Sequence, residues 1–296
     1  MGSDGGHVPV LPGEVLDLLA VRPGGLWVDC TVGLGGHAAE VLRASAPDGR
    51  LLGMDRDSET LEQARVALAR FGERVRLESG HFQDIPERLG EEQADGILLD
   101  LGISSVQLDD PERGFSFQTD GPLDMRMDRR AGETAADVVN EMPEVELANL
   151  IYAYGEERAS RRIARAIVRA RDRALLRTTA ELADIVRRAA PPSRRRGFHP
   201  ATRTFQALRI HVNRELEGLG EALERIAGCL APAGRLAVIA FHSLEDRVVK
   251  TTFRELARRG CTLLTKKPIR PTEAETRQNP RARSARLRAL AREEAA

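Results

Sequence analysis

A glycine-rich loop near the start of the chain has the residue types of a nucleotide-binding turn. Apolar residues 26–30 predict a buried strand, and Gly33, Gly35, Gly36 and His37 follow it, where a helix-like segment begins. Glycines adopt positive φ angles and let a ligand approach the backbone amides at a helix N-terminus. A glycine loop does not by itself distinguish one cofactor from another, and a tight turn without a ligand is the alternative.

Acidic residues end the first two predicted strands. Asp29 directly precedes the loop, and Asp55 ends a second apolar segment at residues 50–55. A carboxylate beside the loop would stabilise the sulfonium and amino group of S-adenosylmethionine, and an acid about twenty residues further on can accept both ribose hydroxyls. The loop also lacks the full Gly-x-Gly-x-x-Gly pattern of dinucleotide enzymes. These features favour S-adenosylmethionine over NAD, although Asp55 alone would suit either nucleoside.

Two further strand ends carry candidate site residues, because open α/β sheets bind ligands at the carboxyl ends of their strands. Phe82 follows a predicted strand at residues 75–77, where it can stack against an adenine or belong to the core. Asp100 ends a fourth strand and begins a tight loop that contains Ser104. An exocyclic amine needs polar acceptors beside it, because its lone pair is delocalised until its N–H groups are polarised. Asp100 and Ser104 are therefore catalytic candidates.

The segments that must position these residues alternate between strand and helix signals over the first hundred residues. This alternation predicts a parallel sheet with helices on both faces. The alternation stops near residue 109, and the expected helices of the next segment lie at 133–140, 143–154, 156–172 and 178–190. We therefore expect an α/β core at residues 1–108 and 201–296, interrupted by a helical insertion at residues 109–200.

Strand signals return in the last third of the chain. The most strand-like run lies at residues 235–241, and two shorter strands are expected at 261–264 and 285–290. Two helices are expected in the same part of the chain, a long one at 204–227 and another at 244–259.

Charge is balanced over the whole chain but unevenly distributed along it. The formal net charge is +0, so composition gives no global attraction to nucleic acid. Acidic residues concentrate in the first half, whereas arginines concentrate at 158–196 and basic residues at 266–292. Arginines in the helix at 156–172 lie opposite its apolar face, which suits either RNA phosphates or a solvated surface. Arg194, Arg195 and Arg196 form a basic loop with the same alternatives.

Cysteine content and hydropathy exclude several classes of protein. Cys30, Cys229 and Cys261 are odd in number and far apart, which suggests neither a disulfide framework nor a metal site. No apolar run is long enough to span a bilayer, and no secretory leader is evident. We therefore expect a cytoplasmic protein with no bound metal and no membrane association.

Longer motifs make this chain closely similar to one known family. They lie at residues 7–11, 29–37, 100–105, 199–210, 241–247 and 279–285, so the similarity runs nearly end to end. The chain resembles the bacterial 16S rRNA (cytosine-N4) methyltransferase H family. The resemblance implies a class I, Rossmann-like S-adenosylmethionine methyltransferase fold with a helical insertion. It also implies N4-methylation of a cytidine in the decoding centre of 16S rRNA, within the small ribosomal subunit.

The resemblance also implies roles for individual residues. The cofactor contacts that it carries over fall on Gly35, Gly36, His37, Asp55, Phe82, Asp100 and Gln107. His199 is either a structural cap or part of the pocket for the target base. His242 is expected near the cytosine, in a neutral hydrogen-bonding role or in proton transfer. Methyl transfer by in-line displacement relies mainly on positioning and does not require a strong base.

Other functions remain open at the level of sequence. Within enzymes, the alternative is a methyltransferase that acts on another base, such as a DNA adenine, or on a protein side chain. A ribosome assembly factor without catalytic activity is a second alternative, although intact Asp29, Gly35, Asp55 and Asp100 argue against it. A hydride-transfer enzyme is disfavoured by the incomplete dinucleotide loop. The oligomeric state, monomer or homodimer, is also left open.

Overall fold

The computed structural model describes residues 9–191 and 199–294, and it divides into two compact units. The first contains the residues up to Gly102 and those from Gly218 onward, and the second is Ile103–Glu217. Each unit has its own hydrophobic core. The second unit begins before residue 109 and ends after residue 200, and the division into a catalytic core and an inserted domain stays a prediction. His7, Val8 and Arg194 to Arg196, which the sequence singled out, lie outside the described residues.

The secondary structure alternates between strands and helices at both ends of the chain. The strands are β1 (Leu26–Asp29), β2 (Arg50–Asp55), β3 (Val75–Ser79), β4 (Ala94–Asp100), β5 (Leu230–Ala240), β6 (Cys261–Leu263) and β7 (Arg286–Arg292). The helices are α1 (Pro12–Leu19), α2 (Gly36–Ala44), α3 (Ser58–Leu68), α4 (Ile85–Leu89), α5 (Ser105–Asp109), α6 (Ala135–Glu141), α7 (Glu144–Gly155), α8 (Ser160–Arg171), α9 (Thr179–Ala189), α10 (Thr202–Val212), α11 (Leu219–Gly228), α12 (Ser243–Leu256) and α13 (Glu273–Gln278).

The first unit is built on a seven-stranded sheet in the order β3-β2-β1-β4-β5-β7-β6. Strands β1 to β5 pair in parallel, as the sequence predicts. The sheet is mostly parallel rather than entirely so, because β7 runs antiparallel to both β5 and β6. A parallel pair needs a long crossover, usually a helix that packs across the sheet, whereas an antiparallel pair needs only a return connection. The short α13 between β6 and β7 fits a return connection.

Local sequence explains where the helices of this unit begin and which face they bury. Asp57 caps α3, since its side chain accepts the backbone N–H groups of Glu59 and Thr60. Leu61, Ala64 and Leu68 then lie on the buried face at helical spacing. The α3 helix therefore packs on the sheet beside β2 and β3.

The second unit is helical, as the sequence predicts for most of its length. Thr134 and Thr178 each form a capping box with an acidic residue three positions later, so α6 and α9 begin at sequence-encoded signals. In α8, Ile163, Ala164 and Ile167 are buried on one face. The described helices of this unit bury a core of mainly aliphatic side chains.

The expected long helix at 204–227 is in fact two helices. Helix α10 ends at Val212 and belongs to the second unit, whereas α11 begins at Leu219 and belongs to the first. Asn213 fixes the end of α10, because its side chain accepts the N–H of Met127 at 2.7 Å and donates to the carbonyl of Met125 at 2.7 Å. Gly218 adopts a left-handed conformation with a φ angle of 66°, which a continuous helix cannot contain.

Within residues 9–191 and 199–294, no helix combines the length and the apolar composition that crossing a bilayer requires.

Candidate functional site

Three acidic residues end three neighbouring strands of the sheet. Asp55, Asp29 and Asp100 are the last residues of β2, β1 and β4. Asp29 pairs in register with Gly53 on one side and Leu98 on the other, so the flanking acids each lie two residues beyond it. The sheet thus brings all three predicted acids to its carboxyl edge, where open α/β sheets bind their ligands.

The glycine loop lies directly above this edge and is held to it by backbone hydrogen bonds. Gly33 and Gly35 have positive φ angles of 52° and 84°, which favour glycine. The N–H of Val32 donates to the carbonyl of Met54 in β2 at 2.8 Å, and the N–H of Gly35 donates to the carbonyl of Val32 at 2.7 Å. A Cβ atom on Gly35 would lie 3.0 Å from Cγ of Leu68, so a side chain here would crowd α3.

Asp55 is tied to the glycine loop through its carboxylate. Its Oδ2 accepts the N–H of Gly33 at 2.9 Å, and its Oδ1 accepts the N–H of Asp57 at 2.9 Å. Burial raises the pKa of Asp55, and the two backbone donors oppose that shift. Each carboxylate oxygen has more than one lone pair, so both can still accept a hydroxyl of a ligand.

Asp29 is a buried carboxyl group in the middle of the edge. Its side chain accepts the N–H of Thr31 at 3.1 Å, and no Lys or Arg of the described residues pairs with it. Burial raises its pKa to about 7, and the nearby charge of Asp55 acts in the same direction. A cationic group bound beside Asp29 would favour its ionised form.

Asp100 combines burial with an unsatisfied oxygen atom. Its N–H donates to Oγ1 of Thr31 at 2.6 Å, and its Oδ2 lies 3.6 Å from Nε2 of His37. Its Oδ1 is buried and has no hydrogen-bond partner among the described residues. Burial raises the pKa of Asp100 well above its usual value, and the carboxyls of Asp29 and Glu245 add to the shift. An orphaned buried acceptor of this kind fits a ligand that supplies a donor.

His242 and Glu245 begin α12 as a buried capping box. Nδ1 of His242 accepts the N–H of Glu245 at 3.3 Å, and Oε2 of Glu245 accepts the N–H groups of Phe241 at 2.8 Å and of His242 at 3.2 Å. Nε2 of His242 lies 3.2 Å from Oε1 of Glu245. Because Nδ1 acts as an acceptor, the neutral ring carries its proton on Nε2.

Phe82 lies next to the carboxyl end of β3, where it is half-buried rather than part of the hydrophobic core. Its ring centroid is 4.0 Å from that of His81. Burial, together with the charge of Arg56, lowers the pKa of His81 to about 4. The Phe82 ring therefore lies against a neutral imidazole and retains an exposed part that a planar ligand could contact.

The other predicted site residues belong to the helical unit. Ser104 and Gln107 form a reciprocal capping box, since Oγ of Ser104 accepts the N–H of Gln107 at 3.2 Å and Oε1 of Gln107 accepts the N–H of Ser104 at 3.0 Å. His199 accepts the N–H of Ala201 at 3.2 Å through Nδ1, and its ring lies 4.6 Å from that of Phe117. The structure therefore gives Ser104, Gln107 and His199 local structural contacts.

Two residues of the acidic edge were missed by the sequence analysis. Thr31 fixes the backbone of Asp100 through its hydroxyl group, and Glu245 contributes a fourth buried acid. Glu245 could have been found, because an acid three residues after an N-cap is the sequence signal of a capping box. Thr31 had no such signal, since its contact joins two strands that are distant in sequence.

The residues of the first unit fit S-adenosylmethionine. The acids at the sheet edge suit its sulfonium and amino groups, and Asp55 suits its ribose hydroxyls. The buried Oδ1 of Asp100, which has no hydrogen-bond partner among the described residues, can accept a hydrogen bond from a ligand. With the mostly parallel seven-stranded sheet, this site defines an S-adenosylmethionine-dependent methyltransferase. The sequence matches the MraW methylase family over residues 4–293. The chain belongs to that family and is an enzyme.

Known proteins support this assignment along the whole chain. A relative from Symbiobacterium thermophilum, named ribosomal RNA small subunit methyltransferase H, is 52% identical over 305 residues and covers 96% of each chain. A relative of the same name from Syntrophotalea carbinolica is 53% identical, with 97% of this chain and 98% of that protein covered. A solved structure from Clostridium thermocellum, described as an rRNA-methylase, has a TM-score of 0.50 at 12% identity, with 97% and 99% coverage, and supports the fold alone.

Proposed function

We propose that this enzyme methylates the exocyclic N4 of a cytidine in the decoding centre of 16S rRNA. The observation that carries the proposal is the full-length similarity to proteins named ribosomal RNA small subunit methyltransferase H, above 50% identity. The motif resemblance narrows the target to a cytosine amine. A buried acceptor at the carboxyl end of β4 is the chemical feature that such a target requires.

The proposed cofactor contacts divide among the strand ends. Asp55 accepts the ribose hydroxyls, and Phe82 contacts the adenine face. Asp29 lies near the positive charge of the ligand, and the backbone of Gly33, Gly35 and Gly36 contacts its polar atoms. His37 supports the site through Asp100, from which its Nε2 is 3.6 Å. Gln107, in the helical unit, is a further cofactor contact that the family resemblance implies.

Asp100 is proposed to accept a hydrogen bond from the target amine. Bound S-adenosylmethionine supplies an electrophilic methyl group on a sulfonium centre. Transfer of that methyl group to the amine nitrogen would leave the electron pair of the broken carbon–sulfur bond on sulfur and would leave one proton for the nitrogen to lose. An acceptor on an N–H group frees the nitrogen lone pair and orients it. The raised pKa of Asp100 makes its carboxylate a better acceptor for that proton than an exposed carboxylate.

Histidines and Ser104 are proposed to position groups rather than to take protons. The acceptor nitrogen of His242 is already used by the N–H of Glu245, which favours the neutral hydrogen-bonding role. The same nitrogen of His199 is used by the N–H of Ala201. Ser104 caps α5, so its proposed contribution is to hold the loop that follows Asp100. Methyl transfer by displacement depends mainly on such positioning.

The proposed partner is 16S rRNA, either free or within the small ribosomal subunit, and the proposed location is the cytoplasm.

The deciding experiment incubates the purified protein with methyl-labelled S-adenosylmethionine and either free 16S rRNA or assembled small subunits. Digestion to nucleosides is expected to yield labelled N4-methylcytidine. Label on another nucleoside or on protein would show that the enzyme methylates a different substrate. Absence of label from both RNA substrates would favour an assembly factor without catalytic activity. Light scattering on the same sample would decide between a monomer and a homodimer.

A further inference from the structure

A basic surface pocket lies at the end of the sheet formed by β7 and β6, away from β1, β2 and β3. We call it the lysine pocket. It is lined by the apolar side chains of Phe253 and Leu263 and by four basic side chains, those of Lys250, Arg254, Lys266 and Arg288. These residues come from α12, from β6 and the residues that follow it, and from β7. None of them belongs to the acidic site described above.

The four basic groups are not balanced by acids. Arg288 is bound by Asp246, with Nε to Oδ1 at 2.7 Å and Nη2 to Oδ2 at 3.4 Å. Within the part of the chain that the structure describes, Lys250, Arg254 and Lys266 have no ion-pair partner. One carboxylate therefore faces four cations, and the pocket has a net positive charge. Arg286 lies on the same face of β7 as Arg288 but outside the lining of the pocket, and its buried Nη1 has no hydrogen-bond partner among the described residues.

The residue types in the pocket are unusual for this protein. The chain has 45 lysines and arginines, but only Lys250, Lys266 and Lys267 are lysines. Two of the three line the pocket. A lysine ammonium is a compact charge with three donors on a flexible stem, and it binds phosphate as a point charge, whereas arginine supplies a planar fork. A site with two flexible ammonium groups and a fixed guanidinium can enclose a tetrahedral anion from several sides.

Strand register places this pocket close to the catalytic candidate Asp100. Asp100 pairs with Ile239 of β5, and Ile239 pairs with Leu287 of β7. Arg286 and Arg288 flank Leu287, so these arginines lie two strands from Asp100 at the same level of the sheet. Neighbouring strands are about 4.8 Å apart, which makes the separation of β4 and β7 about 10 Å.

Acidic and basic residues of the first unit are concentrated in different parts of the chain, which form different parts of the sheet. Residues 1–102, which contain β1 to β4, have 9 lysines and arginines against 18 aspartates and glutamates. Residues 218–296, which contain β5 to β7, have 16 against 9. Because β5, β7 and β6 form one end of the sheet, the basic pocket lies at that end, whereas Asp29 and Asp55 end β1 and β2 on the other side of β4. A polyanion is attracted to the basic end and repelled by the other.

We propose that the lysine pocket binds a backbone phosphate of the RNA substrate, next to the segment that presents the target base. The proposal rests on the RNA substrate of the proposed function. A base that leaves its stack to reach a buried methyl donor must be held by contacts to its backbone. Lys250 and Lys266 would neutralise that phosphate, and Arg288, fixed by Asp246, would set its position.

The small number of lysines allows a direct test on the intact protein. Reductive methylation with ¹³C-formaldehyde keeps the lysine charge and gives one NMR signal for each of three lysines, plus the N-terminus. Single Lys→Arg variants assign the signals. Titration with inorganic pyrophosphate, which needs no RNA, is expected to shift the signals of Lys250 and Lys266 saturably and to leave that of Lys267 in place. Equal shifts of all three signals, or no shift, would overturn the proposal.

A second measurement connects the pocket to RNA. The double variant Lys250→Gln, Lys266→Gln is expected to bind a small-subunit rRNA fragment at least about tenfold more weakly. Loss of one phosphate contact should make the salt slope of binding shallower by about 0.7–0.9. Affinity for S-adenosylmethionine should remain unchanged, because the pocket residues lie outside the acidic site. The control, Arg258→Gln with Lys267→Gln, removes two charges from exposed residues of the same region outside the pocket.

The outcomes separate this proposal from the proposed function. If the wild-type enzyme methylates no rRNA, the proposed function fails, while the pyrophosphate titration still decides whether the pocket binds phosphate. If the wild-type enzyme methylates rRNA but the pocket and control variants lose equal affinity, the pocket proposal fails alone. In that case the basic end of the sheet acts only through its general charge.

Discussion

At the scale of single residues, the carboxyl edge of the sheet gathers Asp29 and Asp100, which form no ion pair with a lysine or arginine of residues 9–191 and 199–294. Asp29, Asp100 and Glu245 are buried close enough together for the charges of Asp29 and Glu245 to raise the pKa of Asp100. Burial raises the pKa values of Asp29 and Asp100 and so disfavours the ionised forms of these two acids. The arrangement is therefore costly in the free protein and suited to a cationic ligand.

Asp29 makes cofactor binding depend on pH. In the free protein its pKa is raised to about 7, so it binds a proton over much of the range in which the unfolded chain has lost it. By linkage, its contribution to stability is present at low pH and is lost as pH rises from about 4 through about 7. A cationic ligand has the opposite preference, because it favours the carboxylate.

We therefore expect affinity for S-adenosylmethionine to increase between about pH 6 and pH 8, around the pKa of Asp29. Affinity for S-adenosylhomocysteine should increase less, because that product has the same amino group but lacks the sulfonium charge. Calorimetry with both ligands at each pH measures the difference. The variant Asp29→Asn should remove it, and parallel pH curves for the two ligands in the wild-type enzyme would contradict the assignment.

Asp55 should contribute to cofactor affinity without taking part in the reaction. The variant Asp55→Ala is expected to weaken S-adenosylmethionine binding by about 1–3 kcal/mol, because the ribose hydroxyls lose a charged acceptor. Calorimetry gives the affinity, and the exposed acid Asp48 provides a control in Asp48→Ala. Unchanged affinity in the Asp55 variant would remove this residue from the site.

Asp100 is expected to behave differently. If its carboxylate reaches the target amine, Asp100→Ala should lower kcat by a larger factor than it lowers affinity for S-adenosylmethionine. The variant Asp100→Asn keeps an acceptor oxygen and should retain more turnover than the alanine variant. Equal losses of affinity and of catalytic efficiency in both variants would assign Asp100 to the cofactor alone.

At the scale of elements, the residues that begin α12 both stabilise that helix and lie at the acidic edge of the sheet. The capping box of His242 and Glu245 fixes the first turn of α12, at the same strand ends as Asp100. We expect His242→Ala to lower the free energy of unfolding by about 0.5–2 kcal/mol, as loss of an N-cap does. Asparagine is a good N-cap, so His242→Asn should retain most of the stability. Thermal unfolding and kcat, measured on both variants, distinguish the roles.

The variant His242→Asn distinguishes the two possible roles of His242, positioning of α12 and proton transfer. If His242 positions the helix, His242→Asn retains most of the activity along with the stability. If His242 transfers a proton, the same variant keeps its stability but loses turnover, and the pH profile of kcat loses one ionisation.

Local signals made the elements around the cofactor predictable, and long-range contacts made others unpredictable. Apolar runs that end in an acid identified β1, β2 and β4, and the carboxyl-edge rule for α/β sheets then brought Asp29, Asp55 and Asp100 together. The break between α10 and α11 was missed, because it depends on contacts of Asn213 with Met125 and Met127, about 86 residues away. The antiparallel direction of β7 could not be predicted, since periodicity does not specify which strands pair.

At the scale of the whole molecule, a net charge of +0 hides a strong separation of charge. Within the first unit, the proposed cofactor residues Asp29, Asp55 and Asp100 lie in the acidic segment 1–102. The lysine pocket is formed by the basic segment 218–296. The helical unit adds a further basic surface on α8. Net charge therefore says little about how this chain would attract RNA, whereas the distribution of charge predicts a strong dependence on salt.

The arginines of α8 divide into two groups, and Arg171 belongs to the bound group because its Nη1 donates to the carbonyls of Val139 and Met142, both at 2.8 Å. Nη2 of Arg161 donates to Oδ1 of Asn149 at 2.7 Å, and Nε of Arg165 donates to Oε1 of Glu144 at 3.4 Å, so both side chains bind α7. Arg162 and Arg169 are exposed, and their side chains have no partner among the described residues. If α8 contacts RNA, the second group is the one that is free to bind phosphates.

We expect Arg162→Gln with Arg169→Gln to weaken binding of small-subunit rRNA and to make its salt slope shallower by about 0.7–0.9 for each lost contact. Affinity for S-adenosylmethionine should not change, since both arginines belong to the helical unit and the acidic edge belongs to the first unit. The matched control is Arg161→Gln with Arg165→Gln, which removes the same charge from side chains that already bind α7. Anisotropy measurements across a salt series would show a smaller change in slope for this control. Equal slopes for the wild-type enzyme and the Arg162, Arg169 variant would mean that this face of α8 is only solvated, because a surface that binds no phosphate releases no counterions.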